Sequence, residues 1–386
     1  MTINDRAATG GPHDGRPSLR RILIAYSSRP PILDYLSAAF QRQGVESRVV
    51  RADENTWFDK QVIHRANKWA HSLRLLPKSR DLFGSHPLAH LNFRSRRLRE
   101  AWEEFDPDLL LLIRGINFRA DVLDQIQPRF GWWVEHEGRV AEALREIDSF
   151  DGYFFMNESC VQAARDHGFQ HVDYLAHAVD PSAFCPLKGV FKRYDACFVG
   201  NWSPKRQQYI EAALEITPDI AIYGAKWLRK CWNRPAILRC WKGAYIDGES
   251  LNRLYNESRV VLNVTNWGSG EGRARSGMNM RVLEVPATGS LLLTDESLEM
   301  NEFLTPGVHV ATYDSLDEFV LCFGHLLSVP GEREAIAAAG CAHVRSRHTY
   351  DHVAEVILAR FEKWVGGRAA DASSASLRNQ IGKHEP

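Results

Sequence analysis

Apolar and polar positions alternate along most of this chain in a regular rhythm. After a polar, Gly-rich stretch, Arg21–Ser27 (RILIAYS) reads as a strand, and Pro30 and Pro31 introduce a segment to Phe40 with helical spacing. Gly44 closes that helix and Ser47–Arg51 supplies a second strand. Asp108–Ile113 (DLLLLI) is almost wholly apolar, the pattern of a parallel strand buried on both faces. Arg129–Val134, Gly152–Met156 and His171–Leu175 are further strands, separated by helical segments at Ala120–Gln127, Val140–Ile147 and Ser159–His167. Parallel neighbours need a crossover, so the alternation predicts a doubly wound sheet covered on both sides, over residues 19–180.

The rhythm lapses in VDPSAFCPLKGVFKRY, which predicts a linker at 181–193, and then resumes. Asp195–Val199, Ile220–Tyr223, Arg259–Val264, Ser290–Thr294 and His309–Thr312 read as the strands of a second Rossmann-like domain at 194–349. Helices follow from Ser315, and a last one, at 350–365, carries Val353, Ile357, Phe361 and Trp364 on one side. Residues 1–18 and 366–386 read as flexible tails.

One stretch breaks the pattern. Residues 57–104 read as a helical insertion in the first domain, with Lys60, Arg65, Lys68, Arg74, Lys78, Arg80 and four arginines between Arg94 and Arg99 set among aromatic and leucine residues. Two readings stay open: a solvated basic helix face, or a surface for an anionic acceptor or the inner face of a membrane.

Composition narrows the function classes. Lysine plus arginine and aspartate plus glutamate are both 48, so no overall field draws the chain to nucleic acid. Leu109–Ile113, the longest apolar strand run, is far short of the roughly 20 residues of a membrane helix. The polar N-terminus lacks the apolar core of a secretory signal, which predicts a cytoplasmic protein. The 386 residues favour two domains. Seven cysteines without a C-x-x-C pair read as buried thiols, not as a disulfide framework or zinc site.

Candidate chemistry concentrates in the second half. In CFVGNWSPKR a strand ends at Gly200 and a turn leads into a helix beginning near Pro204 and Lys205. Such a junction suits a phosphate, with Lys205 and Arg206 adding charge; it equally suits a plain helix start with Ser203 as N-cap and Pro204 at the first position. In LNVTNWGSGEGRARSGMNMRVLEVPATGSLLLTD a strand runs into a loop with Gly268, Gly270, Gly272 and Gly277, then a helix bearing Arg281 and Glu284. Backbone amides of such a loop can approach a diphosphate, Arg281 can grip it in forked geometry, and the Glu284 carboxylate can accept both ribose hydroxyls.

In order, FVGNWSPKR, IYG at Ile222–Gly224, KGAYIDGESLNRLYNESRVVLNV, NMRVLEVPATGSLLLTD, FLTPGVHVATYDSLDEF and RHTYDHVAEVIL resemble the CgeB-like glycosyltransferases, relatives of the group-1 glycosyltransferases. The resemblance covers nearly all of the second half; in the first half it rests on FDPDLLLLIRG and YLAHAVDP. It implies a GT-B fold, α/β with two Rossmann-like doubly wound domains facing across a cleft, the last helix returning to the first domain. It implies further that Glu284 holds the donor ribose, that Asn279 and Arg281 lie near the diphosphate with Gly200, Asn201, Lys205 and Arg206, and that Tyr223, Gly224 and Tyr245 lie near the base. His177 is a candidate contact of the donor sugar.

These features predict transfer of a sugar from a nucleotide-sugar co-substrate to a glycan, lipid-linked or protein hydroxyl, with no cofactor and no metal, since cations and helix amides can stabilise the leaving diphosphate. Asp106 and Asp108 have the spacing of a metal-binding pair but bracket Pro107 at the start of a buried strand. For a base, GWWVEHEG offers His136, flanked by Glu135 and Glu137 as orienting groups or substitutes, against the plainer reading of a surface turn. A nucleotide-sugar-binding scaffold and a GT-B epimerase remain alternatives; a nicotinamide enzyme is disfavoured because neither half has a G-x-G-x-x-G turn after its first strand.

Overall fold

The computed structural model describes residues 19–26, 31–51, 56–77, 80–135, 137–265 and 278–381. They form two compact units, one running through Ala176 and resuming at Val353, the other comprising His177–His352. Each is built on one six-stranded parallel sheet.

In the first unit the strands are β1 (Arg21–Tyr26), β2 (Glu46–Arg51), β3 (Leu109–Ile113), β4 (Arg129–Trp133), β5 (Gly152–Phe155) and β6 (Val172–Tyr174), in the order β2-β1-β3-β4-β5-β6. All five residues of the wholly apolar β3 are buried, as a parallel strand covered on both faces requires, and so are all five of β4, Arg129 included. Leu23, Leu110, Leu112, Trp133, Tyr153 and Phe155 share one core with residues of the covering helices. The order reverses direction between β1 and β3, so their carboxyl ends frame the crevice where doubly wound sheets place ligands. Asp108 stands at the start of β3, where its carboxylate accepts from the backbone N–H groups of Arg20 (2.8 Å) and Arg21 (2.9 Å) and ties β1 to β3.

The second unit repeats the plan with β7 (Tyr194–Val199), β8 (Ile220–Tyr223), β9 (Trp241–Gly243), β10 (Ser258–Asn263), β11 (Leu291–Asp295) and β12 (Ala311–Tyr313), ordered β12-β11-β10-β7-β8-β9. Its switch point lies between β7 and β10. Phe198, Ile222, Leu262, Leu293 and Phe319 lie at the centre of its core. Sequence periodicity misses β9, a three-residue edge strand, WKG, too short to show alternation.

Three expectations change. The segment 181–193 is not a loose linker: Asn252 Oδ1 accepts from Cys185 N (3.2 Å), Asn256 Oδ1 accepts from Leu187 N (2.8 Å), and Lys192 Nζ donates to Ser258 O (2.8 Å), which fasten it to the second unit. The last helix runs from Tyr350 to Ile381, so residues 366–381 are helical and not a tail; AADASSA is rich in alanine, the strongest helix former. From Val353 on it belongs to the first unit, where Phe361 meets Phe130 edge-on at 6.5 Å and Arg360 pairs with Asp173 at 2.9 Å. The helices expected at Ala120–Gln127 and Val140–Ile147 shrink to single turns, Ala120–Leu123 and Val140–Ala143. The seven cysteines are free thiols.

Helix packing in the second unit allows a test. Gly340 lies in the helix Pro330–Arg347, and a Cβ there would stand 2.3 Å from the backbone oxygen of His309. Overpacking costs about 1–3 kcal/mol, against a helix-propensity gain of about 1 kcal/mol for alanine over glycine. Gly340→Ala is therefore expected to melt at a lower temperature than the parent in calorimetry; an equal or higher melting temperature would show that this helix can move away freely.

Candidate functional site

The second unit gathers positive charge at the carboxyl ends of its central strands. β7 is followed by Gly200, whose N–H donates to Tyr223 O (2.8 Å), and Asn201 Oδ1 accepts from Ala225 N (3.0 Å), so the turns after β7 and β8 are laced together. The approach is close enough to demand glycine at 224: its φ is +149°, and a Cβ there would lie 1.9 Å from Gly200 O. The helix Pro204–Ile216 starts after this turn, capped by Ser203 Oγ, which accepts from Arg206 N (3.3 Å), with Pro204 in the first position.

That cap aims Lys205 and Arg206 at the neighbouring strand end. Lys205 Nζ donates to Thr265 O (3.0 Å) and to Asp295 Oδ2 (3.2 Å) at the end of β11. Arg206 donates through Nε to Val264 O and through Nη1 to Asn201 O, each at 2.8 Å, and its guanidinium lies over the Phe198 ring. From the other side, Arg281 opens the helix Arg281–Ala287 and donates to Asn263 Oδ1 (3.0 Å), as does Asn279 Nδ2 (3.2 Å), while Arg281 N donates to Asn279 Oδ1 (3.1 Å). Tyr313 OH steadies this corner by donating to Asn263 O (2.8 Å).

Three cations thus meet beside one buried carboxylate, Asp295, whose oxygens also accept from the N–H and hydroxyl of Thr265. Burial pulls the Arg206 guanidinium down to about 10, and the positive charge of Arg281 adds to the effect. Like charges held this way, in partial burial and at a strand-end crevice, favour an anion.

One turn into the same helix, Glu284 is buried at 8% exposure. Burial pushes its carboxyl up to about 7, opposed by the charge of Arg281. Beside it the Tyr255 hydroxyl is also buried, has no hydrogen-bond partner among the described residues, and is driven well above its usual range by burial and by Glu284. A carboxylate held near neutrality next to a guanidinium can accept hydrogen bonds from paired hydroxyls once a ligand arrives.

Of the residues singled out in sequence, the structure brings Gly200, Asn201, Lys205, Arg206, Gly224, Asn279, Arg281 and Glu284 to one end of one sheet. Tyr223 closes β8 beside them, its hydroxyl raised by burial. Tyr245 is exposed and gives its hydroxyl to Asp247 (2.9 Å). Burial lowers the His177 imidazole to about 4, so it is neutral near pH 7. The glycines of the loop, Gly268, Gly270, Gly272 and Gly277, lie outside the described residues. In sequence Asn263, Thr265 and Asp295 are marked only as a polar residue closing or following an apolar run, in VVLNVT and LLLTD.

In the first unit, His136 lies outside the described residues. Glu135, just past β4, accepts from Arg114 Nη1 (2.5 Å) and Arg139 Nη1 (3.3 Å), and Arg139 also pairs with Glu142 at 2.6 Å. Glu137 accepts from Ser159 Oγ (2.9 Å). Arg114, which follows β3 with φ 56° and carries no signal of its own in sequence, ties the ends of β1, β3 and β4 together through Tyr26 and Glu135.

Residues 205–359 match the family described as "Glycosyl transferase-like". Among solved structures, the chain is similar to a sucrose-phosphate synthase from Thermosynechococcus elongatus (TM-score 0.62, 9% identity, covering 90% of this chain and 100% of that one). It is also similar to Anabaena HepE in complex with UDP and glucose (0.58, 11%, 89% and 100%). A third likeness is to AviGT4, a glycosyltransferase involved in avilamycin A biosynthesis (0.57, 13%, 90% and 98%). The fold is GT-B. A search of curated proteins found no match in sequence.

The buried carboxyl of Glu284 has a consequence for stability. Its value in the fold, about 7, exceeds the ordinary 4.5, so the folded chain holds this proton more tightly than the unfolded chain does. The contribution is fully present below about 4.5 and is lost as pH rises through about 7. Without ligand, Glu284→Gln is expected to gain stability relative to the parent between pH 5 and pH 8 in denaturant titrations; parallel stability curves across that range would mean that Glu284 is ionised in the fold at no cost.

Proposed function

We propose that this chain is a CgeB-like, metal-independent glycosyltransferase that moves a hexose from a nucleotide-sugar donor to a hydroxyl of a glycan, lipid-linked or protein acceptor. The observation that carries the reading is the meeting of Lys205, Arg206 and Arg281 at the β7/β10 switch point with Glu284 one helical turn away. A nucleoside diphosphate presents the complementary pattern, two phosphates next to a ribose diol. The family match over 205–359, and the presence of UDP and glucose in the HepE structure, support the same assignment.

In this reading the donor's diphosphate replaces part of the hydrogen bonding that now occupies the cations. Arg206 and Arg281 then face the negative charge that grows on the leaving diphosphate as the anomeric bond breaks. Lys205, held to Asp295 and Thr265 O, fixes the position of the helix whose N-terminal amides point the same way. Glu284 accepts the ribose hydroxyls, and the backbone around Tyr223 and Gly224, with Tyr245, receives the base. His177, neutral at pH 7, can donate or accept a hydrogen bond with the sugar without adding charge. His136 is the proposed base for the acceptor hydroxyl, with Glu135 and Glu137 beside it in sequence; the Arg114 and Arg139 pairs hold Glu135 in place.

Isothermal titration with UDP-glucose and other nucleotide sugars tests the donor assignment. Arg281→Ala and Glu284→Ala each remove a charged hydrogen-bonding group, worth roughly 1.5–3 kcal/mol or about ten- to a hundredfold in affinity. Both variants should stay folded and bind correspondingly more weakly; donor affinity equal to the parent's in both would place the donor elsewhere. For His136→Ala, turnover should be lost while donor affinity is kept, and parental turnover would transfer the base role to another group.

A further inference from the structure

The helical insertion of the first unit exposes its apolar side chains. Trp57, Trp69, Leu73, Leu75, Leu82 and Phe83 are all exposed, the two tryptophans at 73% and 64%, whereas the other large exposed apolar residues are scattered from Phe191 to Val329. The helical stretch 57–72 turns Asp59, Ile63, Asn67 and Ala70 inward and leaves Trp57, Lys60, His64, Arg65, Lys68 and Trp69 on the outer side. Arg74 and Phe83 hold left-handed backbone, at φ 56° and 61°, a strained conformation for bulky residues, and both remain exposed.

Charge on this surface is mostly positive. Lys60, Arg65, Lys68, Arg74 and Arg80 are exposed along it. Of the two acids between 57 and 83, Asp59 is buried and accepts from His90 N (3.0 Å), which leaves Asp81, 3.8 Å from His71, as the exposed one. The whole chain balances its charges, so this excess is local.

We infer that the surface formed by 57–77 and 80–83 binds an anionic lipid bilayer, its basic residues on the headgroups and its tryptophans, leucines and phenylalanine in the interfacial layer. A soluble polyanion or an acidic protein segment would satisfy the lysines and arginines but leave the apolar side chains in water. A bilayer takes both, and interleaved basic and aromatic residues on an exposed helical face are what such binding uses. No helix among the described residues is long and apolar enough to cross a membrane, so the contact lies on its surface.

The experiment is co-sedimentation of the full chain with phosphatidylcholine vesicles and with vesicles containing phosphatidylglycerol, with soluble heparin as a parallel probe. The chain should pellet with the phosphatidylglycerol vesicles, less so as salt rises, and its tryptophan emission should shift to shorter wavelength. Lys60→Ser and Lys68→Ser should each weaken the partition about fivefold, from the ~1 kcal/mol that a basic residue gains at an anionic surface. Trp57→Ser with Trp69→Ser should abolish the emission shift. These positions are exposed, so an unchanged melting curve and unchanged donor affinity confirm that each variant is intact. A chain that stays in the supernatant with phosphatidylglycerol vesicles, variants that pellet like the parent, or retention by heparin without any vesicle binding would each overturn the inference.

Discussion

Like charges do not collect at a half-buried strand end without a cause, and in the second unit three do. Lys205, Arg206 and Arg281 are held at the carboxyl ends of β7, β10 and β11 by neutral acceptors, Thr265 O, Val264 O, Asn201 O and Asn263 Oδ1, and by the one carboxylate of Asp295. The rest of that unit serves this placement. Parallel strands put all their carboxyl ends on one side, the order β12-β11-β10-β7-β8-β9 opens the crevice beside β7, and the Ser203–Pro204 start sets the helix that carries two of the cations. Gly224 lets the turn after β8 press against Gly200, which fixes where that helix begins.

Glu284 gives the site a second chemistry. A carboxyl near neutrality within reach of a guanidinium can change its charge when a ligand replaces water, and the fold keeps it buried until then. A diphosphate alone would need only the cations; a phosphate joined to a diol uses both. The first unit uses its own switch point differently. There Arg114, Glu135, Arg139 and Glu142 neutralise one another, so its strand ends carry a balanced polar network and not an excess of charge.

Strands buried on both faces declare themselves in sequence. Leu109–Ile113 and Leu291–Asp295 could hardly be anything else, and with them came the two parallel sheets. The capped helix start at Gly200–Arg206 and the Arg281–Glu284 pair were equally visible, because glycine, a cap and a charged first turn leave a local signature. Asn263, Asp295 and Arg114 were not, since nothing local separates a polar strand end that binds a distant side chain from one that faces water. Their roles come from pairings across 18 to 90 residues of chain, such as Asn263 with Arg281 and Asp295 with Lys205. The supposed linker misled for a related reason: prolines and missing periodicity describe irregular chain but do not reveal that Asn252 and Asn256 will hold it.

The central claim is that a nucleoside diphosphate sits where these cations meet. Hydrogen–deuterium exchange of the full chain with and without saturating UDP reads this directly, amide by amide. The account requires slower exchange in 200–206 and 278–284, with the surface of 57–77 and 80–83 unchanged. Protection confined to other segments, or none at saturation, would contradict it.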